Sequence, residues 1–154
     1  TKPIRMNNLF SPTDMQDILR RIENIQPDAQ RQWGQMEVVQ MLNHCTGALK
    51  MASGEINPPR AFIGRLIGRF FRSKYSDKEP FEKNSPTSRA INKAESLDFD
   101  REKAQLISQV QKFHQGGAGN VTTHPHPFFG ELTPDEWSIG MWKHLDHHLR
   151  QFGG

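Results

Sequence analysis

Four stretches of this chain repeat apolar residues every three or four positions and carry capping signals at their ends. That pattern confines the fold to helices packed on helices. The first stretch, "SPTDMQDILRRIENI", offers Ser11 as N-cap and Pro12 for the first turn, and aligns Met15, Ile18, Leu19, Ile22 and Ile25 on one face before Pro27 stops it. The second, "QMEVVQMLNHCTGALKMASG", puts Val38, Met41, Leu42, Cys45, Leu49 and Ala52 on one side and ends at Gly54. The third runs from about Asp98 to His114, with Leu106, Ile107, Val110 and Phe113 inward and "GGAGN" as its terminator. The fourth opens at "LTPDEW", where Thr133 caps, Pro134 takes the first position and Glu136 completes a capping box.

Between the second and third stretches lie more than forty residues, too many for a tight turn. They include "NPPRAFIGRLIGRFFRSKYS" and the extended, Pro-containing "KEPFEKNSPTSR", and read as a crossover carrying one short extra helix. No run of strands is evident. Four long amphipathic helices with one long crossover predict an all-α four-helix bundle. The chain has 154 residues, the size of a single domain over positions 1–154 with a sizeable core.

Composition removes several classes of function. A net charge of +3 is too mild a bias to imply a nucleic-acid partner unless the charge is concentrated. The single cysteine, Cys45, excludes an intramolecular disulfide and any Cys-rich zinc site, and its place in mid-stripe makes it a core residue rather than a nucleophile. No apolar run approaches the roughly 18 residues that span a bilayer, and "TKPIRMNNLF" lacks an apolar signal core. The expectation is a soluble, cytoplasmic protein with no transmembrane segment.

The end of the chain, "WKHLDHHLRQFGG", concentrates the chemistry. At about 100° per residue, Trp137, Met141, Leu145, Leu149 and Phe152 define the buried stripe of the last helix. His148 falls within that stripe and His144 at its edge one turn earlier. His147 falls with Glu136, Lys143 and Arg150 on the polar side. Histidines at i and i+4 present two imidazoles to a common point, the spacing used by metal sites on helices. A third ligand has to come from elsewhere, and His44, bordering the apolar face of the second helix, is the candidate. Imidazole suits zinc, nickel, copper and iron, and three such ligands leave a position open for water or substrate. Border histidines are also common as hydrogen-bonded core or surface residues, so periodicity alone leaves both readings open.

Three segments, "QWGQMEVVQMLNHCTGAL", "HPFFGELTPDEW" and "KHLDHHLRQFG", together resemble an uncharacterised, domain-of-unknown-function branch of the DinB/YfiT-like superfamily, and the similarity extends over nearly the whole chain. The resemblance implies a four-helix bundle in up-down-down-up order, with a divalent metal held by one histidine of the second helix and an HxxxH pair of the last. By residue type and order these are His44, His144 and His148. The superfamily includes thiol-dependent transferases and isomerases that use bacillithiol, mycothiol or glutathione. This chain departs from the thiol-transferase pattern after the last histidine, reading "HHLRQF" where "HHRGQ" is common.

The resulting functional expectation is a metal-dependent transferase or hydrolase acting on a small molecule, with zinc or nickel ahead of iron or copper and a low-molecular-weight thiol as co-substrate. No catalytic residue is identified: Glu37 sits near the start of its helix and Asp146 on the polar side. Asn43, Asp146 and Gln151 are candidates to orient the imidazoles from behind, although exposed helix polar residues are the commoner identity. The loop "TTHPHPFFGELTP" reads as a rigid segment packing Phe128 and Phe129 over one end of the bundle, ahead of a pocket-lining role for His124 and His126. His114, at a helix C-terminus, fits the helix dipole.

The competing class is a non-catalytic interaction or structural bundle. From Ile56 to Ser76 there is no acidic residue, while Arg60, Arg65, Arg69, Arg72 and Lys74 punctuate an apolar stripe of Phe62, Ile63, Leu66, Ile67 and Phe70. A basic amphipathic helix over about 60–74 can cover one bundle end or form a homodimer contact with its arginines in water, and this is the preferred expectation. The alternative is an anionic lipid surface or an acidic partner. The stacking aromatics and recognition helix of a nucleic-acid binder are absent.

Overall fold

The computed structural model describes residues 5–83 and 92–154. These residues form five α-helices: α1 (Pro12–Asn24), α2 (Val38–Ala52), α3 (Phe62–Ser76), α4 (Phe99–Gly116) and α5 (Pro134–Gln151), with single 3-10 turns at Ala94–Ser96 and Ala118–Asn120. Among the described residues there is no strand, only an isolated antiparallel bridge between His126 and Gly130. Part of the Pro-containing stretch expected to be extended, and the first four residues, lie outside the described residues.

The helix starts follow the capping chemistry. Ser11 Oγ accepts from the Asp14 N–H and Pro12 takes the first turn of α1. Thr133 and Glu136 form the reciprocal capping box of α5, and Asp98 caps α4 by accepting from the Arg101 N–H. The start of α2 uses Glu37 and Gln40 in the same reciprocal way, so the Glu37 carboxylate is engaged in capping.

Helices α1 and α2 each pack against both α4 and α5, and α3 packs against α5. The apolar stripes meet in one cluster in which Ile18, Ile22, Met41, Leu42, Leu106, Val110, Trp137, Met141, Leu145 and Leu149 are almost wholly out of water. Each fully buried aliphatic side chain of this kind contributes on the order of 1.5–3 kcal/mol. The expected stripes are therefore the observed core faces of α1, α2, α4 and α5.

Helix α3 departs from expectation twice. It is not short, since its 15 residues equal those of α2. Its packing is also inverted. The buried side carries Gly64, Gly68 and Tyr75, while Phe62, Ile63, Leu66, Ile67, Phe70 and Phe71 are exposed. The cause is backbone approach: a Cβ at Gly64 or Gly68 would overlap main-chain atoms of Phe128. The Arg60 guanidinium fastens this junction by donating to the carbonyls of Gly64, Pro127 and Phe128. The "HPFFG" loop thus packs against the glycine side of α3.

Further along, α3 lies parallel to α5. Arg72 pairs with Glu136, the Tyr75 ring lies where a side chain on Gly140 would be, and Lys143 Nζ donates to the Lys74 carbonyl and to Asp77. Phe81 then reaches His147. The face of α5 expected to be polar and outward is consequently covered, and both Lys143 and His147 are buried. Helical periodicity locates the core faces of the helices, but it carries no signal for a further helix laid on the opposite face of α5.

Candidate metal centre

Two helices supply the three imidazoles. His44 lies on α2 between the core residues Met41 and Leu49, and α5 presents His144 and His148 one turn apart on the face that packs toward α2. The packing of α2 on α5 brings the rings to one point. Their centroids form a near-equilateral triangle of 4.9, 4.9 and 4.7 Å, and one nitrogen from each lies within 4.8 Å of the others. The Nε2 atoms of His44 and His144 stand 3.0 Å apart. Two imidazole nitrogens that close need a proton or a cation between them.

Burial lowers the pKa of all three histidines, and repulsion from neighbouring imidazoles adds to the effect, with His147 contributing at each of them. For His148 the value falls to about 3. The rings are therefore neutral at physiological pH, the form that ligates a metal. Gln151 fixes one tautomer. Its amide N–H donates to the Trp33 carbonyl, which turns its oxygen toward His148, where it accepts from Nδ1–H at 2.8 Å. That leaves the His148 Nε2 lone pair available. His144 Nδ1 is buried with no hydrogen-bond partner among the described residues.

This donor set fits a divalent ion. Nitrogens at 2.0–2.1 Å from a tetrahedral ion stand about 3.4 Å apart. The 3.0 Å pair and the 4.8 Å outer limit bracket that spacing. Three neutral imidazoles suit zinc, nickel, copper or iron. Among the described residues no aspartate, glutamate or cysteine joins the cluster.

The other candidates fall elsewhere. Gln151, expected among exposed polar residues, is instead buried and orients His148; its i, i+3 spacing from that histidine was the available signal. Asn43 donates to Glu102 and accepts from Asn92, and Asp146 pairs with Arg21 and Arg150. Cys45 is a core residue whose thiol burial pushes far up, out of reach of thiolate chemistry at neutral pH. His147, expected on the polar side, is packed edge-on to Trp33 and against Phe81.

The loop ahead of α5 has its own order. His126 Nδ1 accepts from the N–H groups of Phe128 and Phe129, so its proton resides on Nε2. Burial first, and then Arg60, lowers its pKa to about 4. Its ring packs on Tyr75, Phe129 and Trp137. His124 donates to the Pro58 carbonyl, and His114 to that of Leu9, where it ties the end of α4 to the chain before α1. Of the two phenylalanines expected to pack over one end of the bundle, Phe129 packs against Tyr75 and the core, whereas Phe128 lies near Phe71 on α3.

One residue went unnoticed in the sequence. The hydroxyl of Tyr75 is wholly buried and has no hydrogen-bond partner among the described residues, and the same holds for the indole N–H of Trp137. Burial raises the Tyr75 pKa, so the hydroxyl stays protonated and can donate. Its ring rests on Gly140, one helical turn before His144. Only the close approach of α3 to α5 brings it there.

Residues 6–153 match the family described as "Protein of unknown function (DUF1569)", and the chain belongs to that family. Comparison with curated proteins and with solved structures gave no match.

Proposed function

We propose that this DUF1569 chain is a single-domain, metal-dependent four-helix bundle of DinB/YfiT type, with up-down-down-up order and a crossover that carries α3. In this reading His44, His144 and His148 hold one divalent ion, zinc or nickel ahead of iron or copper. The protein acts on a small, partly apolar molecule as a transferase or hydrolase, with transfer to a low-molecular-weight thiol as the first choice. The observation that carries the reading is the convergence of three neutral imidazoles from two helices on one point.

A divalent ion held there supplies Lewis acidity, lowering the pKa of a water or thiol or polarising a carbonyl. The chain's own residues do the rest. Three imidazoles leave a ligand position open. Gln151 holds His148 in the tautomer whose Nε2 faces the cluster. Met41, Trp137 and Met141, all buried, give the interior beside the site its apolar character.

The test is a screen of metal-loaded protein against electrophilic substrates, with each low-molecular-weight thiol present or absent, beside His44→Ala. Turnover that needs a thiol and vanishes in His44→Ala supports transfer, and turnover indifferent to thiol assigns hydrolysis. Equal activity in wild type and His44→Ala would remove the metal mechanism. A blank across the panel in protein that holds its metal would shift the reading to a non-catalytic interaction bundle.

A further inference from the structure

The outward side of α3 is the largest feature that the proposed metal chemistry does not use. Phe62 is 77% exposed and Phe70 67%, with Ile63, Leu66, Ile67 and Phe71 also open to solvent. Taking about 200 Å² for a complete side chain of this class, the six expose on the order of 600 Å² of apolar surface, at the upper limit for a monomer. The ridge is held from behind, because Gly64 and Gly68 seat the helix on the loop backbone and Arg72 pairs with Glu136. It points outward as a consequence of the packing.

The charges carried by α3 itself have one sign. No aspartate or glutamate occurs from Ile56 to Ser76. Arg60 and Arg72 are engaged by loop carbonyls and by Glu136. Arg65, Arg69 and Lys74 are exposed, and among the described residues no carboxylate pairs with them. At about 100° per residue, Arg65 and Arg69 fall along one margin of the apolar face, whereas Lys74 falls within that face near its C-terminal end, its ammonium over the Phe71 ring.

We propose that this face docks α3 in the plane of an anionic lipid bilayer, with the apolar ridge in the headgroup and acyl boundary and Arg65, Arg69 and Lys74 on lipid phosphates. The arrangement is that of an interfacial helix. The basic stems can extend along the apolar face while their charged ends remain at the headgroups. A fluid bilayer also receives a convex ridge without a matching groove. A second copy of the chain fits less well. Paired α3 faces would bring Arg65 and Arg69 of the two copies together with no acidic residue on α3 between them. Among the described residues no helix is long and apolar enough to cross a membrane, so the contact is peripheral.

Flotation with vesicles of phosphatidylserine and phosphatidylcholine, beside vesicles of phosphatidylcholine alone, tests this directly. The protein is expected to float with the anionic vesicles at low salt, to be released at high salt and to ignore the neutral ones. Arg65→Gln with Arg69→Gln should weaken binding on the order of 30-fold, at about fivefold per cation. Phe62→Ser with Phe70→Ser should abolish it. All four positions are exposed, so both variants should keep the wild-type circular dichroism, and that spectrum is the control. Wild type left at the bottom of the gradient at low salt, or variants that float like wild type, would overturn the proposal. A wild-type dimer in sedimentation that becomes monomeric with Phe62→Ser and Phe70→Ser would overturn it in favour of a second copy.

Discussion

His147 and His148 are adjacent in sequence and both buried, yet they lie about 100° apart around α5 and have different company. His148 looks toward α2, where it meets two further imidazoles and the Gln151 amide. His147 points about 100° further round the helix, under Trp33 and Phe81, with its ring edge-on to that of His148 at 5.0 Å. Both have pKa values lowered first by burial, so neither burial nor titration separates a ligand from a packed ring. The difference lies in convergence. On the inner side, imidazoles from two helices aim at one point, whereas on the outer side one imidazole fills a space among aromatic rings.

The sharpest way to break this comparison is to ask which side responds to metal. At about a thousandfold excess of a divalent ion over its dissociation constant, ligand linkage stabilises the folded protein by about 4 kcal/mol. Chemical denaturation with ion and with chelator should show that gain in wild type and in His147→Ala, and no gain in His148→Ala. A gain of equal size in His148→Ala would erase the distinction.

Next in size is the seam where α3 covers the outer side. A methyl group on Gly140 would overlap the Tyr75 ring, so Gly140→Ala should destabilise by roughly 2–3 kcal/mol. Gly47, within α2, has nothing near its would-be Cβ, and Gly47→Ala should instead stabilise by up to about 1 kcal/mol. Denaturation midpoints that move the same way in both variants would contradict the described seam. Gln151→Ala should lower metal affinity by roughly 10–100-fold, read by competition with a chelating dye, because His148 loses the acceptor that sets its tautomer. Unchanged affinity would reduce Gln151 to a packing residue. The smallest effect is expected from His147→Ala, about 1 kcal/mol of stability from lost aromatic contact, with metal affinity as in wild type.

The inner side of α5 was legible because one period governs it. Trp137, Met141, Leu145, Leu149 and His148 recur with the helix repeat, and Thr133, Pro134 and Glu136 mark where that repeat begins. The choice of His44 needed more than periodicity, since a histidine at the border of a stripe does not announce which helix it will meet; the family resemblance supplied that pairing. The outer side was not legible. Lys143 and His147 read as solvent-facing because a helical wheel registers only the helix's own pattern, and their cover comes from distant residues such as Trp33, Asp77 and Phe81. Helix α3 misled for a related reason. Its apolar stripe suggested the buried face, but Gly64 and Gly68 permit a closer backbone contact than any side chain would, and that contact decided the orientation. Tyr75 went unnoticed for the same reason, since nothing local marks it as the residue that reaches Gly140.

The most direct test of the central claim is the metal content of purified wild type, His147→Ala and His148→Ala by elemental analysis, each prepared in the same medium. The account predicts about one divalent ion per chain in wild type and in His147→Ala, and none in His148→Ala. Full metal content in His148→Ala, or a loss in His147→Ala as complete as in its neighbour, would contradict it.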